Sequence, residues 1–113
     1  MCSSDLVAAD AVPRPRGYFD AVTCLNVVDR VGKPRQVTRD VCDLVRSGGW
    51  LFLASPIDWD ERFTPRSNWV EDVADLFPAD WDPAISEDIE YDFRYSSRKA
   101  IRFHSQVVAR RKK

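Results

Sequence analysis

The residues best equipped for chemistry gather in two places. Asn26 and Asp29 stand at the end of an apolar, β-branched run, YFDAVTCLNVV, Tyr18 to Val28. The segment SPIDWDERFTPRSNW, Ser55 to Trp69, follows directly on the apolar run GWLFLA and crowds Trp59, Glu61, Phe63, Arg66 and Trp69 into one stretch opened by Ser-Pro. A buried strand that ends in Ser-Pro and turns amphipathic delivers a loop to a site. In open α/β sheets ligands bind beyond the carboxyl ends of the strands, and Asn26, Asp29, Ser55 and the loop after it all fall there. His104 is the only histidine. As a general base it would have to face the site from a terminal strand, so an ordinary strand position is expected of it.

The elements that must position these groups are legible from periodicity. The Tyr18 to Val28 run is continuous rather than alternating, which suits a central strand covered on both faces. Pro34 stands at a first helical position, and Val37, Val41, Leu44 and Val45 recur at helical spacing, with Gly48-Gly49 expected to end that helix as a C-cap. WLFLAS is the next buried strand, and strand, helix, strand with short connections makes a right-handed parallel unit. Trp69, Val73, Leu76 and Phe77 predict a second amphipathic helix beginning near Pro65 to Ser67, broken by PADWDPA. Ile89, Tyr91, Phe93 and Tyr95 then alternate with Glu90, Asp92 and Arg94, SSRK turns the chain, and AIRFHSQVVARR returns. That is an antiparallel pair appended to a parallel sheet, so the fold class is α/β.

Composition narrows the function. The chain has 113 residues, 17 basic and 18 acidic, room for one domain and no global field to favour nucleic acid or an anionic membrane. The terminal Arg110 to Lys113 run is a solvated end. Cys2, Cys24 and Cys42 are odd in number and form no CxxC, which argues against a disulfide framework and a zinc site and for a reduced, cytoplasmic setting. No apolar stretch approaches membrane-spanning length, and the start has no basic-then-apolar signal layout. CSSDL after Met1 is what the end of a common sequencing adapter encodes, so residues 1–6 are read as an artefact and 7–113 as protein.

FDAVTCLNVVDRV, a helix and SGGWLFLASP together resemble the fourth strand, fourth helix and fifth strand of class I S-adenosylmethionine-dependent methyltransferases, with FD-x-V opening the one strand and GG preceding the other. The final hairpin resembles that family's sixth and seventh strands, and VAADA the end of its third. Residues 7–113 thus resemble a partial methyltransferase domain, a Rossmann-like sheet in its C-terminal portion. More narrowly, SPIDWDERFTPRSNW is similar to the SP-x-x-W-x-E-x-FTP-x-x-x-W segment of the methyltransferase domain of ovothiol synthases, and CLNVVDR resembles the strand end of protein-histidine methyltransferases. The resemblance implies S-adenosylmethionine as cofactor and a small-molecule acceptor, an imidazole nitrogen in the narrower form. It implies that Asn26 contacts the cofactor's methionine portion and Asp10 the adenine amino group. Asp29 would accept the imidazole N–H and aim the other nitrogen at the methyl group, the catalytic role. Trp59 and Phe63 would wall an acceptor-side lid, and Glu61 and Arg66 would fix a zwitterionic substrate.

Nothing here corresponds to the family's first strand with its glycine-rich loop, or to the acid ending its second strand, so the chain alone is expected to bind the cofactor weakly and to be inactive. The strand at Tyr18 to Val28 would then carry a free apolar edge that invites self-association. Two rival readings stand beside this one: a generic small-molecule O- or N-methyltransferase, and a non-catalytic α/β module that binds or pairs through that edge.

Overall fold

The computed structural model describes residues 16–113. Asp10, the VAADA strand end and residues 1–6 lie outside them. The elements run β1 (Phe19–Leu25), α1 (Pro34–Leu44), β2 (Val45–Ser55), β3 (Asp82–Ser96) and β4 (Lys99–Arg111), with short 3₁₀ turns at Val28–Arg30, Arg66–Asn68 and Val73–Leu76. They form a four-stranded sheet in the order β1-β2-β4-β3. β1 and β2 are parallel, joined through α1 as a crossover. β4 is antiparallel to both β2 and β3, so the second hairpin strand inserts between the first and the parallel pair.

One face of this sheet is covered. Cys24, Leu51, Leu53 and Val108 point toward Val41, Cys42 and Val45 at the end of α1, and toward Val70, Val73, Leu76, Phe77 and Trp81 from the β2 to β3 connection. Leu51 and Leu53 are fully buried, and Val108 nearly so. On the other face Phe19 and Leu25 are exposed and Trp50 and Phe52 only half-buried. The continuous apolar run at β1 is therefore not a strand covered on both faces. It is an edge strand in which only Cys24 is buried, because among the described residues nothing pairs with its outer side or covers its second face.

The glycine pair does not end the helix. α1 stops at Leu44, and the sheet register jumps from Phe19 opposite Val45 to Ala21 opposite Trp50, so Gly48-Gly49 lie in an excursion of β2. The helix is closed instead by Lys112 from the end of β4, whose Nζ donates to the carbonyls of Cys42 at 3.1 Å and Val45 at 2.9 Å. A cation on the last carbonyls satisfies them and complements the helix dipole. Gly48 turns the excursion at φ +82, and a Cβ at Gly49 would lie 2.7 Å from the Asp20 carbonyl.

The second amphipathic helix is likewise absent. Val73, Leu76 and Phe77 are buried as their pattern requires, while Trp69 is only half-buried and Val70 takes the buried position beside it, but Trp69 and Asp72 are extended and only single 3₁₀ turns flank them. Asp72 accepts the Ala74 amide, and Gln106 of β4 both donates to Asp72 Oδ1 and accepts the Val73 amide. The backbone partners a helix would have supplied come from a strand side chain, at full apolar burial.

Candidate functional site

The parallel strands β1 and β2 end side by side, tied by the Asn26 amide donating to the Ala54 carbonyl at 2.8 Å. Asn26 itself takes a left-handed conformation, φ 58, and is exposed at the strand end. Beyond it Asp29, only 2% exposed, reaches across to the loop after β2, where its Oδ2 accepts the Asp58 amide at 3.1 Å. Arg30 clamps the same loop from outside: its guanidinium donates to the Asp58 carbonyl at 2.6 Å and to Asp58 Oδ2 at 3.1 Å, and lies 3.6 Å from Asp29. Between them Ile57 is held at φ 53. A β-branched residue in the left-handed region is strained, and two fixed amides hold it there, its own on Ser55 Oγ at 3.0 Å and that of Asp58 on Asp29.

This pinned loop forms one wall of an open concavity of about 580 Å³, whose other walls come from the β3–β4 hairpin. Arg30, Pro56, Ile57 and Asp58 face Arg102 and His104, with Tyr95, Ile101 and Phe103 around the rim. Arg102 pairs with Asp92 at 2.9 Å, and His104 Nδ1 lies 3.6 Å from Glu90. The opening therefore mixes two fixed cations and an imidazole with their carboxylate partners, beside aromatic surface. A second concavity, of about 440 Å³, runs along α1 from Arg35 to Asp43, between that helix and residues 75–81, with Lys112 in its wall.

The lid residues are placed differently from one another. Trp59 stacks on Trp69 with ring centroids 6.2 Å apart, and its Nε1 donates to the Val70 carbonyl. Trp69 Nε1 donates to the Thr64 carbonyl. Glu61 and Arg66 pair with each other at 2.6 Å, with Arg66 over the Trp69 ring. Phe63 is 47% exposed and lies between Arg30 and Arg62, 5.6 Å and 5.7 Å from its ring. The turn beneath is organised by Asp60, whose carboxylate takes hydrogen bonds from the Arg62 side chain and amide and is held down to about 2. Thus Asp29 and the start of the loop come together, with Asn26 at the adjoining strand end, while Asn26, Asp29, Trp59, Glu61, Phe63 and Arg66 are not among the residues that line the concavity. Arg30, Asp58 and Arg102 join the site through pairings 28 residues apart or across a hairpin. The one readable hint for His104 was that it shares the polar row of the hairpin with Glu90 and Arg102.

Among the described residues no cluster of His, Cys, Asp or Glu is placed to hold a metal ion. The two buried thiols are inert at neutral pH: burial pushes Cys24 up, and Cys42 up to about 11, with Lys112 opposing and Asp43 adding to the rise.

Strand order and polarity, parallel β1-β2 followed by an inserted antiparallel hairpin, are those of the C-terminal portion of the Rossmann-like methyltransferase sheet. The chain superposes on TehB from Haemophilus influenzae with a TM-score of 0.61 over 88% of this chain and 37% of that one, at 11% identity. It also superposes on a structure concerned with conversion of a disulfide bond into a thioacetal group during echinomycin biosynthesis, with a TM-score of 0.58 over 86% of this chain and 50% of the other, at 14% identity. In sequence it is 41% identical over 72 residues to a ubiquinone biosynthesis O-methyltransferase of Albidiferax ferrireducens, covering 64% of this chain and 28% of the relative. The corresponding enzyme of Nitrosomonas europaea is 43% identical over 49 residues, 43% of this chain and 20% of the relative. No family model matches. Fold and sequence likeness together make the chain similar to part of a methyltransferase with a Rossmann-like sheet. It spans less than a third of the length of these curated relatives.

Proposed function

We propose that this chain is the acceptor-side part of an S-adenosylmethionine-dependent methyltransferase and that the concavity between the Ile57 loop and the β3–β4 hairpin receives a small-molecule acceptor in the cytoplasm. The observation that carries the reading is the position of that concavity at the carboxyl ends of β1 and β2, walled by a loop held in strain. The cofactor supplies a methyl group on a sulfonium, displaced in line, so the protein's task is to hold the acceptor at near-attack distance and take up a proton. Asn26, exposed at the end of β1, fits a contact to the methionine portion, with Asp10 assigned to the adenine. Asp29 and Arg30 fix the loop that orients the acceptor.

The narrower reading makes the acceptor an imidazole nitrogen of a histidine derivative. It rests on the likeness of Ser55 to Trp69, and it requires Asp29 to exchange the Asp58 amide for the acceptor N–H and Glu61 and Arg66 to leave each other for a zwitterion. The names of the curated relatives favour a hydroxyl acceptor instead. Cofactor labelled in its methyl group, supplied to the polypeptide of the gene's whole reading frame with a thiol-bearing histidine or a quinone-precursor phenol, separates the two by where the label lands. Label on either acceptor, lowered at least tenfold in KM terms by Arg30→Ala, supports the site. Label on neither leaves the non-catalytic module, pairing through the free edge of β1.

A further inference from the structure

The β3–β4 hairpin has two unlike faces. On one face run Glu90, Asp92, Arg102 and His104, paired among themselves. On the opposite face the register aligns Ile89 with Ser105, Tyr91 with Phe103 and Phe93 with Ile101, and Tyr95 continues the row. Tyr91 stacks on Phe103 at 5.3 Å and Phe93 meets Tyr95 edge-on at 4.8 Å. These side chains remain open to solvent: Ile89 is 48% exposed, Tyr91 36%, Phe93 52%, Tyr95 56% and Ile101 39%. Aromatic side chains bury roughly 150 to 250 Å² each, so the stripe offers on the order of 400 to 500 Å² of apolar surface. That is more than half of the roughly 800 Å² each partner contributes to a standard interface, and the largest apolar patch of a protein, commonly of this size, is often functional.

The ends of the stripe say what fits it. Glu87 stands on this face at the end of the stripe nearer the hairpin's root, opposite Val107, and Lys99, its Nζ 5.0 Å over the Tyr95 ring, stands at the tip. Among the described residues neither is in an ion pair. A two-fold axis through the middle of the stripe, near Tyr91 and Phe103, lays root on tip, so the Glu87 of each copy meets the Lys99 of the other while the aromatic row packs on itself. We propose that this face is a homodimer interface, two copies stacked face to face and antiparallel with Glu87 against Lys99 at both ends. The contact is isologous, closing at two copies. Two faces packed about 10 Å apart leave room for the interdigitated aromatics. It is separate from the β1 edge, and at Tyr95, Ile101 and Phe103 it adjoins the concavity.

The test is sedimentation equilibrium of the chain with charge-reversed variants. The wild type is expected to dimerise at micromolar concentration. Phe93→Glu is expected to yield a monomer, and Glu87→Lys or Lys99→Glu alone to weaken association by roughly tenfold, a loss the Glu87→Lys, Lys99→Glu double variant restores. Because both charges are exposed, these variants keep the fold, checked by far-UV circular dichroism. A monomeric wild type overturns the proposal. So does an oligomer that survives Phe93→Glu and ignores the charge swap, which would run through the β1 edge, or a double variant no better than the singles.

Discussion

The carboxylate of Asp29 is buried and accepts the Asp58 amide, so Asp29→Ala leaves that N–H without its charged partner and is expected to lower stability by about 1 to 3 kcal/mol. Asp29→Asn keeps an acceptor oxygen and should cost less; urea midpoints of the two variants measure the difference. Asp60 titrates in the opposite sense from a buried acid. Its folded value, about 2, lies below the ordinary 3.8. The unfolded chain therefore binds its proton first, and the turn's contribution is complete above the ordinary value and is lost as pH falls through it toward 2. Carboxyl NMR shifts of Asp60 should titrate near 2, and in Arg62→Ala should return toward the ordinary value. Cys42, raised to about 11 by burial, is expected to react with a disulfide reagent at pH 8 only as fast as the protein opens, so denaturant should accelerate labelling sharply. The sequence made Asn26 and Asp29 visible because strand-end position follows from one apolar run. Arg30, Asp58 and Arg102 were not visible, because what selects them is a partner distant in the chain.

At the scale of elements the strands and α1 were legible, and the second helix was not. Periodicity at Val73, Leu76 and Phe77 specified which side chains are buried, and burial is satisfied by extended chain and 3₁₀ turns as well as by a helix when another element supplies the hydrogen bonds. Gln106 does so here. Gln106→Ala is thus expected to cost about 1 kcal/mol and to raise amide exchange at Val73 specifically, measurable by hydrogen exchange. The Gly48-Gly49 pair was legible as a special backbone site but not as a strand excursion. A methyl group at Gly49 meets the Asp20 carbonyl at 2.7 Å and Val45 Cγ1 at 2.8 Å, so Gly49→Ala should destabilise by about 1 to 3 kcal/mol in thermal unfolding.

At the scale of the whole molecule, the sheet has among the described residues one closed face and one open one, and stability concentrates on the closed side. Leu53→Ala, which empties a fully buried position between α1 and the sheet, is expected to cost about 2 to 5 kcal/mol, a large share of what a domain this size has. The sequence by itself determined the parallel unit and the antiparallel ending, because hydrophobic period and strand order are local properties that admit few topologies, and its motifs carried the resemblance to the methyltransferase sheet. Only the tertiary structure decided that Lys112 rather than glycine closes α1, that Glu61 and Arg66 pair with each other, and that Arg30 and Arg102 face one concavity. Those outcomes turn on which distant side chain reaches a carbonyl, amide or carboxylate first, and no spacing along the chain encodes that distance.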